Sequence, residues 1–145
     1  MTEYLRGSLF DCLVDLEPHN TYTARSIKTL TREELKASIH RELTWLLNTT
    51  CAFSYEEMES MDRHTLSYGI QDFSCFFPDS SENRIRLGNM IREVIDAFEP
   101  RLDKVEVEVK EMNSQKDHFS LSLIIQAVLK TDTAKEPITF IMAID

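Results

Sequence analysis

Glycine is scarce in this chain: of 145 residues, only Gly7, Gly69 and Gly88 lack a side chain. They stand too far apart for a G-x-G-x-x-G turn or a Walker-type loop, each of which needs clustered glycines so that backbone N–H groups can approach phosphates. A classical nucleotide enzyme is therefore disfavoured. Cysteine is sparse as well. Cys12, Cys51 and Cys75 form an odd set with no C-x-x-C pair, which suits a reduced cytoplasmic protein better than a secreted disulfide scaffold. Long apolar runs are missing. Leu123 to Ile125 and Phe140 to Ala143 are strand-sized, far below the roughly 18 residues that a membrane helix needs. The N-terminal MTEYLRGSLFDCLVDLE is interrupted by Glu3, Arg6, Asp11 and Asp15, so it does not read as a signal peptide. Basic residues fall short of acidic ones, 16 against 25, for a net charge of −9. That balance argues against a nucleic-acid backbone or an anionic membrane as the main partner. The expectation is a cytoplasmic protein with no nucleic-acid partner and no direct membrane insertion.

What is present is ordinary globular material, 42% apolar and 28% charged. The length matches one domain, expected to span residues 1–145 with an N-terminal helix and connector over 1–30. Leu5, Leu9, Cys12, Leu13 and Leu16 recur at steps of three and four and predict a short amphipathic helix over about 3–16. Thr31 followed by Glu34 is a capping-box pattern opening a second helix. Leu35, Ile39, Leu43 and Leu47 then repeat at four-residue steps, and Asn48 is expected to close the helix in the left-handed conformation. Residues 51–80 are the least regular, with Ser54 and Glu57 capping a short turn through Met61 and a packed loop after it. A further helix runs from about Ser80, with Ile85, Gly88, Ile91, Ile95 and Phe98 on one face, and stops at Glu99 because Pro100 disfavours helical backbone before it.

Beyond Pro100 the period changes to two. Val105, Val107 and Val109 alternate with charged residues, and Phe119 to Leu129 forms a longer strand whose Ile124 and Val128 suggest a central position. A last strand covers Ile138 to Ile144. The predicted class is α+β: two main helices plus an N-terminal helix packed on a three-stranded, or slightly larger, antiparallel sheet.

Chemistry is thin. His19, His40, His64 and His118 share no metal-ligand spacing with each other or with the cysteines. No nucleophile elbow is present. Glycoside hydrolysis needs two carboxylates roughly 5–9.5 Å apart, and with 25 acids in the chain nominating a pair carries no information. No catalytic residue, metal or cofactor is expected. One junction stands out. Phe98-Glu99-Pro100-Arg101-Leu102 sets opposite charges on either side of a proline at a helix-to-strand turn. Arg101 is favourable near a helix C-terminus and Glu99 is not, so Glu99 needs a cation or donors from its own domain or from a partner. An exposed internal ion pair, worth about 0–1 kcal/mol, is the plainer of the two readings.

The run IREVIDAFEPRLDKVEV resembles the Glu-Pro-Arg signature of the baseplate wedge family typified by the gene 25 product of T-even phages. The family also includes the TssE subunits of type VI secretion baseplates. SIHRELTWLLNTT resembles the family's S-I-x-x-x-L-x-x-L-L-N-T-R helix end, and TLSYGIQDFS its S-x-x-x-Y-G-[LI]-x-D segment. Arg84 stands where the family often has a basic residue, and LSLIIQAVL with ITFIMAI resembles its closing strands. The likeness runs from about residue 8 to 144. Thr50 departs from it, standing where the motif has arginine.

The resemblance implies a non-enzymatic, α+β subunit of a contractile injection machine that contacts other baseplate wedge subunits and contractile sheath subunits and helps to start sheath polymerisation. Its implied partner-binding residues are Glu99, Pro100, Arg101 and Asn48. A phage or tailocin baseplate is the alternative within the family, and a lysozyme-like glycoside hydrolase the alternative outside it. The strand ITFIMAI carries no charge and no proline after Pro137. It is therefore either central and covered on both faces, or an edge completed by another chain. The resemblance favours the edge, with Phe140 and Ile141 as its candidate binding residues.

Overall fold

The computed structural model describes residues 5–14, 19, 29–72, 80–111, 121–130 and 135–144. It divides into two compact units, Met1–Glu42 and Leu43–Asp145. The class is α+β as the periodicities predict, with two long helices and a three-stranded antiparallel sheet among the described residues.

In the first unit, β1 (Leu5–Arg6) pairs antiparallel with β2 (Thr29–Leu30), Leu5 opposite Leu30 and Arg6 opposite Thr29. Between them α1 spans Leu9–Leu13. With Leu5–Arg6 in a strand and Val14 extended, this shortens the helix expected over 3–16, of which residues 3, 4, 15 and 16 lie outside the described residues. Ser8 starts it late: its hydroxyl accepts from Asp11 N–H at 3.2 Å while its own N–H donates to Asp11 Oδ2 at 3.1 Å. The described part of the expected apolar stripe is not the buried one, and Leu16 lies outside the described residues. Leu9 is 77% exposed, Leu13 and Cys12 are exposed too, and the buried residue of the helix is Asp11. Most of the connector expected over 17–30 lies outside the described residues, and its end is strand.

Helix α2 (Arg32–Leu47) opens as its sequence predicts. Thr31 N–H donates to Glu34 Oε2 at 2.7 Å, and Glu34 N–H to Thr31 Oγ1 at 3.3 Å. Leu35, Ile39, Leu43, Leu46 and Leu47 are all buried. The helix does not end in a left-handed asparagine, because Lys104 is the one non-glycine of positive φ among the described residues. Side chains close it instead: Asn48 Nδ2 donates to the Thr44 carbonyl at 2.7 Å and Thr49 Oγ1 to the Trp45 carbonyl at 2.6 Å. Free carbonyls in a last turn need donors, and these two supply them.

The second unit continues with α3 (Tyr55–Glu59), a 3₁₀ turn at Thr65–Ser67, and α4 (Ser81–Phe98). Ser54 and Glu57 form the predicted capping box, and α3 ends two residues short of Met61. Residues 73–79 of the loop after it lie outside the described set. Ser80 caps α4, which buries Leu87, Gly88, Met90, Ile91, Val94 and Ile95. Ile85, expected on that face, is exposed, because the buried arc is centred on Ile91 and Ile85 lies too far around the helix.

The sheet runs β3 (Leu102–Glu111), β4 (Leu121–Lys130), β5 (Lys135–Ile144), in that order, so β4 is central. Phe119 lies outside the described residues, and β5 begins three residues before the Ile138 expected. Leu102 and Val105 are both buried despite opposite parity. A register shift between Asp103 and Glu106, with Lys104 at φ 50°, inserts the extra residue that permits it. Leu123, Ile125 and Leu129 from β4 and Ile138, Phe140, Met142 and Ile144 from β5 fill the buried face. Each such side chain contributes about 1.5–3 kcal/mol by leaving water. The strand ITFIMAI is thus covered on one face only: Thr139, Ile141 and Ala143 are exposed.

Candidate functional site

Three segments that the sequence separates by tens of residues meet in the second unit. The chain after α2 runs beside Gly69–Ile70, where Thr50 and Ile70 form a parallel bridge. Ile70 N–H donates to the Thr49 carbonyl at 2.9 Å and Cys51 N–H to the Ile70 carbonyl at 2.7 Å. Gly69 makes this possible: its φ is +104°, and a Cβ there would collide with the Thr49 carbonyl. One residue earlier, the Tyr68 ring meets Phe98 edge-on, with centroids 5.3 Å apart. Phe98 ends α4 directly before Glu99. The L-L-N-T-T, S-Y-G-I and F-E-P-R segments are therefore one packed cluster.

Within that cluster the charged junction is internally paired. Arg101 Nε donates to Glu99 Oε1 at 2.7 Å and Nη2 to Oε2 at 2.6 Å, while Arg101 N–H adds a third bond to Oε1 at 3.2 Å. This is the parallel two-pronged geometry that makes arginine–carboxylate pairs strong. It corrects the expectation of an exposed pair, since Glu99 is 3% exposed and the Arg101 side chain 17%. Burial follows from position. Glu99 N–H still bonds the Ile95 carbonyl, and the Glu99 carbonyl accepts from Leu102 N–H, so the carboxylate is held between the end of α4 and the start of β3. The Arg101 carbonyl accepts from Lys130 N–H at 2.8 Å, tying the turn to β4. Pro100 is the exposed residue of the three.

Of the remaining candidates, Asn48 belongs to the first of these three segments. Asn48 is exposed and caps α2. Phe140 and Ile141 are not part of the cluster: Leu102, next to the junction, faces Leu129, whereas Ile141 faces Ile124 further along β4. They also point opposite ways, Phe140 inward and Ile141 outward at 70% exposure. Along β5 the ladder runs to β4 alone among the described residues. Among the described residues no group of three or more His, Cys, Asp and Glu is placed to share a metal ion, and no helix is long and apolar enough to cross a membrane.

Sequence reading missed a second ion pair. In the first unit, Asp11 accepts from Ser38 Oγ and Arg41 Nη2, each at 2.6 Å, besides its bonds with Ser8. Burial would raise the Asp11 carboxyl, but the hydrogen bonds from Ser38, Arg41 and Ser8 outweigh it and hold the group well below the usual carboxylate range. The only signal was Asp11 three residues after Ser8, a capping pattern that the apolar stripe overshadowed.

Comparison with known proteins bears on what this arrangement is for. Residues 33–134 match the family described as baseplate wedge protein gp25. That stretch is shorter than the one from 8 to 144 suggested by the motifs. No curated protein matches the chain. Among solved structures, a chain of "The baseplate complex from the type VI secretion system" is similar in fold, with a TM-score of 0.54 at 15% identity, covering 78% of this chain and 96% of that one.

Proposed function

This chain belongs to the gp25 baseplate wedge family, and from that premise we propose that it is a structural, non-catalytic subunit of a type VI secretion baseplate. In this reading it links wedge subunits and offers the first socket for the contractile sheath. The observation that carries it is the outer position of β5 in the sheet of the described residues. From Ile138 to Ile144 this strand has neither the lysine nor the proline with which an edge is normally guarded, and it bonds only to β4 among the described residues. A strand from another subunit would extend the sheet there by backbone hydrogen bonding. The fold shared with a chain of a type VI secretion baseplate complex supports the same machine.

The wedge contacts are assigned to the Asn48 and Glu99-Pro100-Arg101 end of the second unit. Here the buried ion pair acts as a brace and Pro100, exposed between the charges, is the contact. Thr50 stands where the family motif has arginine, so any ionic contact made by such an arginine is either lacking here or supplied by another residue.

Co-purification with the other baseplate subunits tests the assignment. Pro100→Ala and Asn48→Ala, folded by circular dichroism, are expected to recover less of the wedge than the wild type. Equal recovery would remove the junction from the interface. A second assay addresses hydrolysis. Incubation with peptidoglycan is expected to release no soluble muropeptides, and dose-dependent release abolished by one carboxylate substitution would overturn the non-catalytic reading.

A further inference from the structure

Helix α1 is turned inside out. An amphipathic helix normally buries its apolar stripe and wets its charges, yet here Leu9 and Leu13 face solvent and Asp11 faces α2. Among the described residues, little apolar burial holds the helix in place. Between the described residues its side chains are attached by polar and cationic contacts: Asp11 to Ser38 and Arg41, and the Arg41 guanidinium over the Phe10 ring at 4.9 Å from its centroid. Among the described residues the flanking ladder of β1 and β2 is two residues long, and a ladder of that length is not stable alone. The family match begins at residue 33. Ser38 and Arg41 therefore lie inside the matched segment, while α1 lies outside it.

We propose that residues 5–14 form a strap, latched to α2 through the Asp11 carboxylate, and that this polar contact decides whether α1 is docked. Segments with few buried apolar contacts open at a fraction of the global unfolding free energy, and here the hydrogen bonds from Ser38 and Arg41 of α2 converge on one group. On undocking the carboxylate keeps its Ser8 bonds but must replace those from Ser38 and Arg41 with water together, so the latch is all-or-none rather than a gradual fraying. The inference does not depend on the baseplate reading.

Hydrogen exchange on the whole chain tests it, comparing wild type with Asp11→Ala and Ser38→Ala. The reporters are the amides of Cys12 and Val14, bonded within α1 to the Ser8 and Phe10 carbonyls at 3.1 and 3.0 Å. Both variants are expected to exchange these amides at least about tenfold faster, with the β4 amides from Leu123 to Leu129 unchanged. Ser38→Ala leaves the Ser8 cap of α1 intact, so acceleration there reports undocking and not loss of the helix's own cap. Unchanged α1 exchange in both variants would show that the latch does not hold the strap. Acceleration of α1 and β4 together, or failure of both variants to fold, would show that α1 is part of the cooperative core; either result overturns the proposal.

Discussion

A methyl group on Gly88 would stand 2.9 Å from the carbonyl oxygen of Val107: α4 and β3 meet there backbone to backbone. Gly88→Ala would ordinarily gain about 1 kcal/mol of helix propensity. Here the opposing atom is main chain and cannot swing aside, so the helix or the strand must shift. The expected result is a net loss of about 1–2 kcal/mol by denaturant titration, as overpacking outweighs propensity. A gain in stability would show that the α4–β3 contact yields easily.

Arg101→Ala would leave the Glu99 carboxylate buried without its main partner. The expected destabilisation is about 3 kcal/mol, at the low end for a broken buried pair because part of Arg101 remains in water. Arg101→Lys keeps the charge but loses the two-pronged geometry, and should recover only part of that loss. Thermal melts of both variants beside Glu99→Gln test this, and an unaltered melting temperature in Arg101→Ala would mean that the pair is not a brace.

Gly69→Ala places a Cβ where φ is +104° and the Thr49 carbonyl already stands. Positive-φ strain and the clash together should cost about 1–3 kcal/mol or more. The bridge between Thr50 and Ile70 is expected to open first, read as faster exchange at the Cys51 and Ile70 amides. Exchange unchanged at both amides would contradict this.

Acid should loosen α1 through Asp11. Its carboxyl is held below the ordinary aspartate value of 3.8, with hydrogen bonds to Ser38, Arg41 and Ser8 overcoming the opposing effect of burial. A depressed native pKa adds stability that is complete above the unfolded value and is lost as pH falls through the native one. Docking of α1 is therefore constant at neutral pH and weakens below about pH 4. Corrected for intrinsic exchange rates, protection at Cys12 and Val14 should fall across that range in the wild type. In Asp11→Asn it should stay level, because the group that titrates is gone.

Ile141→Lys alters the exposed face of β5 without entering the core. Surface changes of this kind stay within about 0.5 kcal/mol, whereas Phe140→Lys would bury a charge and is expected to unfold the sheet. If β5 receives a sheath strand, Ile141→Lys should reduce sheath assembly while leaving the melting temperature in place. Normal sheath length in cells carrying this variant would argue against a socket at β5.

Local pattern was legible in the residues themselves. The Thr31–Glu34 and Ser54–Glu57 capping boxes, the four-residue repeat from Leu35 to Leu47 and the two-residue alternation after Pro100 all depend on neighbours within one turn or one pleat. Such interactions are already specified along the chain. The central place of β4 was legible for the same reason, since Ile124 and Val128 made its second face partly apolar.

Only the tertiary structure decided which side of α1 is inside, because the apolar stripe of Leu9 and Leu13 competes with an Asp11 carboxylate whose donors are some 30 residues away at Ser38 and Arg41. It also decided that Glu99 is buried and Arg101 largely so. The spacing allowed their pairing, but their loss of water depends on where α4 and β3 come to rest. The same holds for Gly69 and Gly88, whose missing side chains matter only because the Thr49 and Val107 carbonyls arrive beside them. Periodicity reports the surface an element offers; which atoms come to meet that surface is settled by packing over distances that no local pattern encodes.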